Sequence, residues 1–330
     1  MISRNSTNKC KKNNIFKFAV VYLFITGCML SCIPYQTVDF QIARPAMVKL
    51  GSFENVDIHC KFCFDTTSIP YLDTAAQKEA RISLNFIHTL KENLQRSPLF
   101  ENSKLNLVSD ENLISHLKNF KPGVSKSSLL IVLDSIYLKD TIVVQRDRYR
   151  VKTYAYGMIH RFGCRTYDEV NMRLLDNHLL EDTAFWPAQY SQLELFFSLP
   201  SYEEIIWDTG IKAGENYAHY LAPHWEDQSR FFFYGNNDKF KRSYNYLQHD
   251  NLDSALVILL EKDYKKAGVT RLFKTLYNTA VVYELKDDFS NALIMADSAF
   301  AVSNRPEAKE YADILRKRKI DKIALDWQLE

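Results

Sequence analysis

The fold of the carboxyl-terminal part is decided by residues 276–299, which read LYNTAVVYELKDDFSNALIMADSA. Small and aromatic side chains recur here at spacings that suit two antiparallel helices joined by the polar turn Lys286-Asp287-Asp288. The pattern occurs again 37 residues upstream, where His249-Asp250-Asn251 takes the place of that turn. The residues that we expect to pack these helices together are Tyr246, Leu252, Ala255, Leu259, Ala280, Tyr283, Phe289, Ala292 and Ala299.

This pattern resembles the tetratricopeptide repeat, although any alanine-rich amphipathic hairpin would give a similar spacing. Each helix needs a small residue such as Ala292 where its neighbour crosses, and a large ring such as Tyr283 beside it. Two units are too few to bury a continuous core, because such arrays generally need about three. We therefore expect a helix over 306–325 to cap one end and the helix over 201–221 to cover the other. The capping stripe would consist of Ala308, Tyr311, Ala312 and Leu315.

The amino terminus has the organisation of an export signal. Residues 1–31 carry five cationic side chains and no acid, and the apolar run from Phe18 to Ile25 is too short to span a membrane comfortably. Ile25-Thr26-Gly27-Cys28 resembles the lipobox of bacterial lipoproteins, and Ser31-Cys32 is a rival junction. We expect cleavage before Cys28 or Cys32 and a membrane anchor through acylation of that cysteine. The alternative is an ordinary secretory signal or an uncleaved signal anchor.

The residues after the cysteine bear on which membrane face the protein occupies. Ile33-Pro34-Tyr35-Gln36 is uncharged, whereas surface-export signals in such lipoproteins resemble short acidic tracts. The sequence therefore favours an outer-membrane anchor that faces the periplasm.

Length and composition limit the classes of function. A chain of 330 residues with 46% hydrophobic residues is expected to form about two globular domains. Beyond residue 31 it carries 37 cationic and 40 anionic side chains, a net charge of −3. This balance lacks the basic excess typical of a nucleic-acid-binding protein, so we expect no nucleic-acid partner. With only 9 glycines and no phosphate-loop, HExxH or Ser-His-Asp motif, an enzyme is not expected either.

The hydrophobic periodicity predicts an α+β domain over residues 40–198. Alternation over 55–63 predicts a strand with one buried face, and apolar spacing over 74–96 predicts a helix. A shorter helix is predicted over 111–119. Further strands are predicted at 129–133, 136–144, 148–155 and 170–175, with a break at Gly163, which indicates a partly antiparallel sheet.

The remaining chain is predicted to be helical. A linker helix and an aromatic segment occupy 199–237, with a capping box from Ser201 to Glu204 at the start of the helix. An all-α domain of tetratricopeptide-like helical repeats follows over 238–330.

The segment His59-Cys60-Lys61-Phe62-Cys63 has the spacing of a redox or zinc-binding box. It lies in a predicted strand, where Cys60 and Cys63 would face opposite sides. At about 3.3 Å per residue they would be roughly 10 Å apart, which is too far for a disulfide. We therefore expect Cys60 to be a buried structural residue and Cys63 to be exposed.

Two further groups of residues have chemistry that could bind a ligand. Arg148, Arg150 and Lys152 alternate on one predicted strand face and could bind an anion, although such charges also keep edge strands from self-association. His160 and Cys164 lie four residues apart near a predicted turn and could join a metal site only with further ligands. The structural interpretation is favoured for both groups, so we predict no catalytic residues, no metal and no cofactor.

A family resemblance enters at the linker. It is carried by Gly214-Glu215-Asn216-Tyr217-Ala218, Ala222-Pro223-His224-Trp225 and Arg230-Phe231-Phe232-Phe233-Tyr234, together with Arg44-Pro45-Ala46 near the amino end. In this order, followed by the helical repeats, these segments resemble a Bacteroidetes family of uncharacterised lipoproteins with tetratricopeptide-like carboxyl ends. The resemblance implies a lipoprotein and supplies no catalytic residues.

Three functions follow as hypotheses. The first is a non-catalytic scaffold in cell-envelope assembly or maintenance, with a protein or peptide partner in a groove of the helical repeats. The second is a ligand- or glycan-binding lipoprotein linked to nutrient uptake, in which Trp207 and Trp225 would stack on sugars. The third, an enzyme, requires titratable groups that converge in a polar cleft between the sheet and the linker helix.

Overall fold

The computed structural model describes residues 35–62, 74–108, 127–146, 148, 151–171, 173–186, 189–235, 237–261 and 268–330. The export signal with Cys28 and Cys32, the residue Cys63 and the helix predicted over 111–119 lie outside these ranges.

The described residues form seven strands and eight helices. The strands are β1 (Tyr35–Arg44), β2 (Asn55–Cys60), β3 (Lys104–Val108), β4 (Ser128–Arg146), β5 (Lys152–Asp168), β6 (Arg173–Phe185) and β7 (His224–Phe233). The helices are α1 (Thr74–Arg96), α2 (Gln192–Ser198), α3 (Tyr202–Leu221), α4 (Asp238–Gln248), α5 (Leu252–Leu259), α6 (Val269–Leu285), α7 (Phe289–Ser303) and α8 (Pro306–Leu329). A strand-rich part with sheets and helices thus precedes a helical part.

The chain forms two compact units, each made of two stretches, in contrast to the consecutive ranges predicted above. The sheet unit comprises Gln41–Asp227 and Ile320–Glu330. The helical unit comprises the residues up to Phe40 together with Gln228–Lys319. The aromatic segment that follows the linker helix is strand β7, which pairs with β1 in a two-stranded sheet.

A five-stranded mixed sheet is the main layer of the sheet unit, in the order β3-β2-β4-β5-β6. β2 is parallel to β3 and β4, whereas β4, β5 and β6 are antiparallel. The prediction that β2 buries only one face is wrong, because Asp57 and His59 are buried as well as Val56 and Ile58. β2 lies between two strands and is covered on both faces, so alternation in its sequence does not mark exposure.

The strand break predicted at Gly163 is also wrong. β5 runs through Gly163 without interruption, opposite a bulge in β4 between Leu133 and Ser135. A Cβ atom on Gly163 would lie 2.2 Å from the Ser135 hydroxyl oxygen, so the glycine permits a close approach rather than ending the strand. The same bulge joins the two strands predicted at 129–133 and 136–144 into one.

Helices α1 and α3 confirm the helices predicted from caps and periodicity. The capping box of α3 is present: the Glu204 N–H donates to the Ser201 hydroxyl, and the Ser201 N–H donates to the Glu204 carboxylate. The prediction that this helix covers the helical repeats is wrong. Its buried residues, including Ala213 and Tyr217, belong to the core of the sheet unit.

Two glycines explain why α3 packs where it does. A Cβ atom on Gly210 would lie 2.7 Å from the Ile82 carbonyl oxygen, and one on Gly214 would lie 2.4 Å from the Phe86 carbonyl oxygen. These glycines are one helical turn apart, so they form a strip along which the backbone of α1 comes close. No larger residue fits this crossing without moving one of the helices.

In the helical unit, the turns between α4 and α5 and between α6 and α7 have the same geometry. Asp250 and Asp287 adopt left-handed conformations with φ of 54° and 57°. The side chains of the next residues, Asn251 and Asp288, each accept a hydrogen bond of 3.1 Å from the backbone N–H three residues later. The 37-residue offset read in the sequence is therefore present in the structure. Whether the repeat is tetratricopeptide-like stays a prediction.

Candidate functional site

The structure places all nine predicted packing residues in the hydrophobic core of the helical unit. The buried ones are Ala255, Leu259, Ala280, Phe289, Ala292 and Ala299, and the partly buried ones are Tyr246, Leu252 and Tyr283. The stripe of α8 predicted as a cap lies in the same core. These residues hold the helices together, so a binding site must be sought on the surface that they support.

A cleft of about 280 Å³ opens on that surface, between the end of β7 and the first turn of α6. Its aromatic walls are Phe233, Tyr234 and Phe240, and its cations are Arg271 and Lys274. Gly235, Asn237 and Thr270 complete the lining. Apolar walls with a few convergent polar groups are typical of ligand-binding sites.

The cleft is held in shape by hydrogen bonds at the end of β7. The Asn278 side chain accepts from the Phe233 N–H and donates to the Phe233 carbonyl oxygen, both at 2.8 Å. Gly235 turns the chain with φ of +49°, a conformation that favours glycine. The Asn237 side chain then caps α4 by accepting from the Lys239 N–H at 3.0 Å. The strand end and the two helices are thereby fixed on each side of the cleft.

The electrostatics of the cleft favour an anionic group. Arg271 is exposed, and neither Arg271 nor Lys274 forms an ion pair with any residue that the structure describes. The Lys274 ammonium lies 5.4 Å from the centre of the Phe233 ring. Two cations beside aromatic rings can bind a carboxylate together with an apolar or aromatic group.

A buried charge cluster lies within the helical unit. Glu284 is inaccessible to solvent and accepts two hydrogen bonds of 3.0 Å from Arg230 on β7. Arg318 on α8 donates to the same carboxylate at 2.5 Å, and the Tyr311 hydroxyl donates at 2.6 Å. Burial, reinforced by this carboxylate, raises the pKa of Tyr311 well above its ordinary value, so its hydroxyl stays a donor. The cluster joins β7 to α6 and α8.

Cys60, His160 and Cys164, which were singled out in the sequence, are all buried in the five-stranded sheet. His160 and Cys164 lie in the middle of β5 rather than near a turn, because the strand continues through Gly163. Burial lowers the pKa of His160, so this histidine is neutral at pH 7. No group of three or more metal-ligating side chains is found in the described part of the chain.

Two of the three cations predicted on one strand face are described, and they do not share a strand. Arg148 lies in the β4–β5 turn and Lys152 begins β5, while Arg150 is outside the described residues. A shared strand face is therefore wrong for Arg148 and Lys152, because the chain reverses direction between them.

Titratable groups do meet between β6 and α3. The Tyr220 hydroxyl donates to Asp176 at 3.1 Å, and the His178 ring stacks on the Tyr220 ring with centres 3.8 Å apart. Burial and the neighbouring Asp176 raise the pKa of Tyr220. These groups contact one another directly, which is the arrangement of a polar packing contact.

The cleft was not anticipated from the sequence residue by residue. The cleft is built from two segments of the sequence, the aromatic run 230–234 and the helix start at 268–271, which has no side-chain cap. More than thirty residues separate these segments. Only the fold shows that they meet.

No helix among the described residues is long and apolar enough to cross a membrane.

Comparisons with known proteins give one family match. A family model described as "Domain of unknown function (DUF8603)" matches residues 126–233, about a third of the chain. The match runs from β4 to β7 and does not extend into the helical repeats. No match to this chain was found among curated proteins.

Two solved structures with lipoprotein names show distant likeness. Uncharacterised lipoprotein B from Nitrosomonas europaea is 14% identical with a TM-score of 0.28, over 52% of this chain and 84% of that chain. A minor lipoprotein from Acinetobacter baumannii is 5% identical with a TM-score of 0.24, over 50% of this chain and 93% of that chain. Likenesses with such low TM-scores do not indicate a function for this chain.

Proposed function

We propose that this chain is a non-catalytic, lipid-anchored scaffold of the cell envelope that holds a partner protein at the cleft of its helical unit. The observation that carries the proposal is the cleft in which Arg271 and Lys274 lie beside three aromatic rings, neither cation being paired with an acid among the described residues. The export signal and the cysteines after it support the lipid anchor. The uncharged residues after the cysteine support a periplasm-facing position on the outer membrane.

The partner fitted by this cleft is a peptide segment with an acidic and an aromatic side chain close together. The volume of about 280 Å³ lies just below the usual ~300–1,000 Å³ of small-molecule pockets. A cleft of this size holds the anchor residues of a longer chain better than it encloses a metabolite. The acidic group would pair with Arg271 and Lys274, and the ring would pack on Phe233 and Tyr234.

Photo-crosslinking in cells tests the partner site. With a photoreactive amino acid at Thr270, we expect one protein to be crosslinked, with a yield that falls at least tenfold after Arg271→Glu and Lys274→Glu, because the reversed charges repel an acidic segment. The matched control is Lys309→Glu with Lys317→Glu, which makes the same charge change on the exposed side of α8. An unchanged crosslinked product in the cleft variant would refute the site.

The anchor is tested by replacing both candidate cysteines. Cys28→Ser with Cys32→Ser should release the protein from the membrane fraction, because the two or three acyl chains of a lipoprotein bind stably and none would be attached. The single variants identify the acylated residue, since only one of them should lose the anchor. Continued partitioning of the double variant into the detergent phase would contradict lipid anchoring.

A second candidate function is glycan binding. Trp207 and Trp225 are both more than half exposed, so their rings are open to stack on sugars. A saccharide array decides between the candidates: saturable binding that is lost in Trp207→Ala or Trp225→Ala would favour the glycan function.

The polar contacts between β6 and α3 favour a structural role over catalysis. An enzyme would need a free base or nucleophile facing a substrate. The raised pKa of Tyr220 keeps its hydroxyl protonated, and that proton is donated to Asp176. This pairing favours a packing role for Tyr220 and Asp176.

A further inference from the structure

The strands β4 and β5 extend beyond the rest of the five-stranded sheet. β2 pairs with β4 only as far as Leu133, and β6 pairs with β5 only from Gly157 onward. Residues 142–146 and 152–156, which we call the arm, therefore continue beyond both of these strands as a hairpin that ends at the pair Arg146 and Lys152. The base of the arm packs against the segment that follows β6, because Tyr154 and Tyr156 lie in a hydrophobic cluster with Leu195.

The end of the arm is cationic. Arg146, Arg148 and Lys152 are all exposed and lie within seven positions of the chain. None of them forms an ion pair with a residue that the structure describes. The stretch 146–152 holds four cations and one acid, a formal net charge of +3, which can be attracted to an anionic surface.

A group of exposed apolar side chains lies next to the arm. The backbones of Tyr154 and Gln189 exchange two hydrogen bonds of 2.8 Å, which ties the segment after β6 to the arm two residues from Lys152. Helix α2 begins just beyond this bridge and buries only Leu195. The aromatic patch comprises side chains that are all at least 60% exposed: Phe185, Tyr190, Leu193, Phe196 and Phe197, the last of them 84% exposed.

We propose that the cationic end of the arm and the aromatic patch together form a contact surface for an anionic lipid bilayer. Aromatic rings are suited to the boundary between headgroups and acyl chains. Cations near an anionic leaflet add electrostatic attraction. The choice of a bilayer rests on the proposed lipid anchor, which would hold the chain at a membrane.

Charge favours a bilayer over a second copy of the chain. Glu194 is the exposed acid of α2, against three exposed cations at the end of the arm. The same surface of a second copy would therefore leave most of these cations without an acidic partner. The five apolar side chains, each ~150–250 Å² when fully exposed, leave roughly 500–900 Å² uncovered. A stable dimer buries ~800 Å² per partner over a wider surface. Partial insertion into a bilayer needs no such extended complementary face.

Vesicle co-sedimentation tests the surface. The protein used is the chain from Ile33 to Glu330, which contains every described residue and neither candidate cysteine for acylation. It should bind vesicles of phosphatidylcholine with about one-third phosphatidylglycerol more tightly than phosphatidylcholine alone. Replacing Arg146, Arg148 and Lys152 by Gln should weaken binding to the mixed vesicles about 100-fold at low ionic strength, because each cation contributes roughly fivefold. Binding to pure phosphatidylcholine should not change.

Phe196→Ser with Phe197→Ser should weaken binding to both kinds of vesicle at least tenfold, because the most exposed rings are lost. Matched controls on other surfaces should bind like the parent: Lys104, Lys309 and Lys317 to Gln for charge, and Val257 and Ile294 to Ser for apolar area. Unchanged binding of the Phe196/Phe197 variant would overturn the proposal. The proposal would also be overturned if the parent protein did not bind vesicles and instead formed a dimer, seen by sedimentation velocity, that the Phe196/Phe197 variant does not form. Because the protein lacks acyl groups, failure here is distinct from failure of the lipid anchor.

Discussion

Gly214→Ala is expected to destabilise the sheet unit by about 3 kcal/mol or more. On an open helix surface the same change would stabilise by about 1 kcal/mol, since alanine is the better helix former. At this position a Cβ atom would lie 2.4 Å from the Phe86 carbonyl oxygen and 3.1 Å from the Thr89 Cβ. The nearest obstacle is a backbone atom of α1, so no side-chain rotation can relieve the clash. Helices α1 and α3 would have to move apart instead. The sign of the effect therefore tests the helix crossing itself.

Tryptophan fluorescence in a urea titration measures this effect selectively. All four tryptophans, Trp186, Trp207, Trp225 and Trp327, belong to the sheet unit. With a slope of ~1–3 kcal/mol per molar urea, the fluorescence midpoint should fall by at least about 1 M. The matched control is Gly51→Ala, where the added Cβ has no neighbour within 4 Å and no shift above about 0.5 kcal/mol is expected. A stabilised Gly214→Ala variant would show that α3 does not cross α1 at this glycine.

The two helices involved show how far the sequence leads. Periodicity and caps predict the helices over 74–96 and 201–221, because these signals are local. They do not predict what α3 packs against, since an amphipathic face indicates burial but not the partner. Gly210 and Gly214, spaced one turn apart, were the signal of a close backbone crossing. Their meaning depends on α1, which lies more than a hundred residues earlier in the chain.

Strand predictions failed where context changes the meaning of a residue. Gly163 predicts a break in isolation, but opposite the β4 bulge it is the residue that lets two strands approach. Alternation in β2 predicts one exposed face, but a strand between two others and covered on both sides exposes neither. Both errors come from the sheet neighbours, which short-range patterns do not contain.

The candidate site was predictable in kind but not in composition. The repeat pattern located a helical region, and its core residues lie where the spacing placed them. The cleft, however, combines the end of β7 with the first turn of α6, and neither segment contains a motif of its own. Binding surfaces of this kind depend on which loops and helix starts the packing brings together.

Glu284→Ala is expected to destabilise the helical unit by about 3–5 kcal/mol, because it leaves two buried cations without their carboxylate. Arg230 and Arg318 are each at least 90% buried, and both donate to Glu284. Both guanidinium groups also lie near aromatic rings: the centre of the Phe40 ring is 5.5 Å from the Arg230 Cζ and 5.6 Å from the Arg318 Cζ. These cation–π contacts offset part of the loss but do not replace a full negative charge. The Tyr311 hydroxyl would lose its acceptor in the same step.

Circular dichroism at the helical wavelength, followed together with tryptophan fluorescence, assigns this effect to its unit. The dichroism midpoint in urea should fall by roughly 2 M, with a smaller change in the fluorescence midpoint, because the tryptophans report the other unit. Glu307→Ala is the matched control, since its exposed pair with Arg305 at 3.9 Å should contribute less than about 1 kcal/mol. A variant with Arg230→Met, Glu284→Leu, Arg318→Met and Tyr311→Phe should regain most of the lost stability, because no charge is then buried alone. If Glu284→Ala alone unfolds at the parent's midpoint, the cluster is not buried as described, and β7 is not held to α6 and α8 by charge.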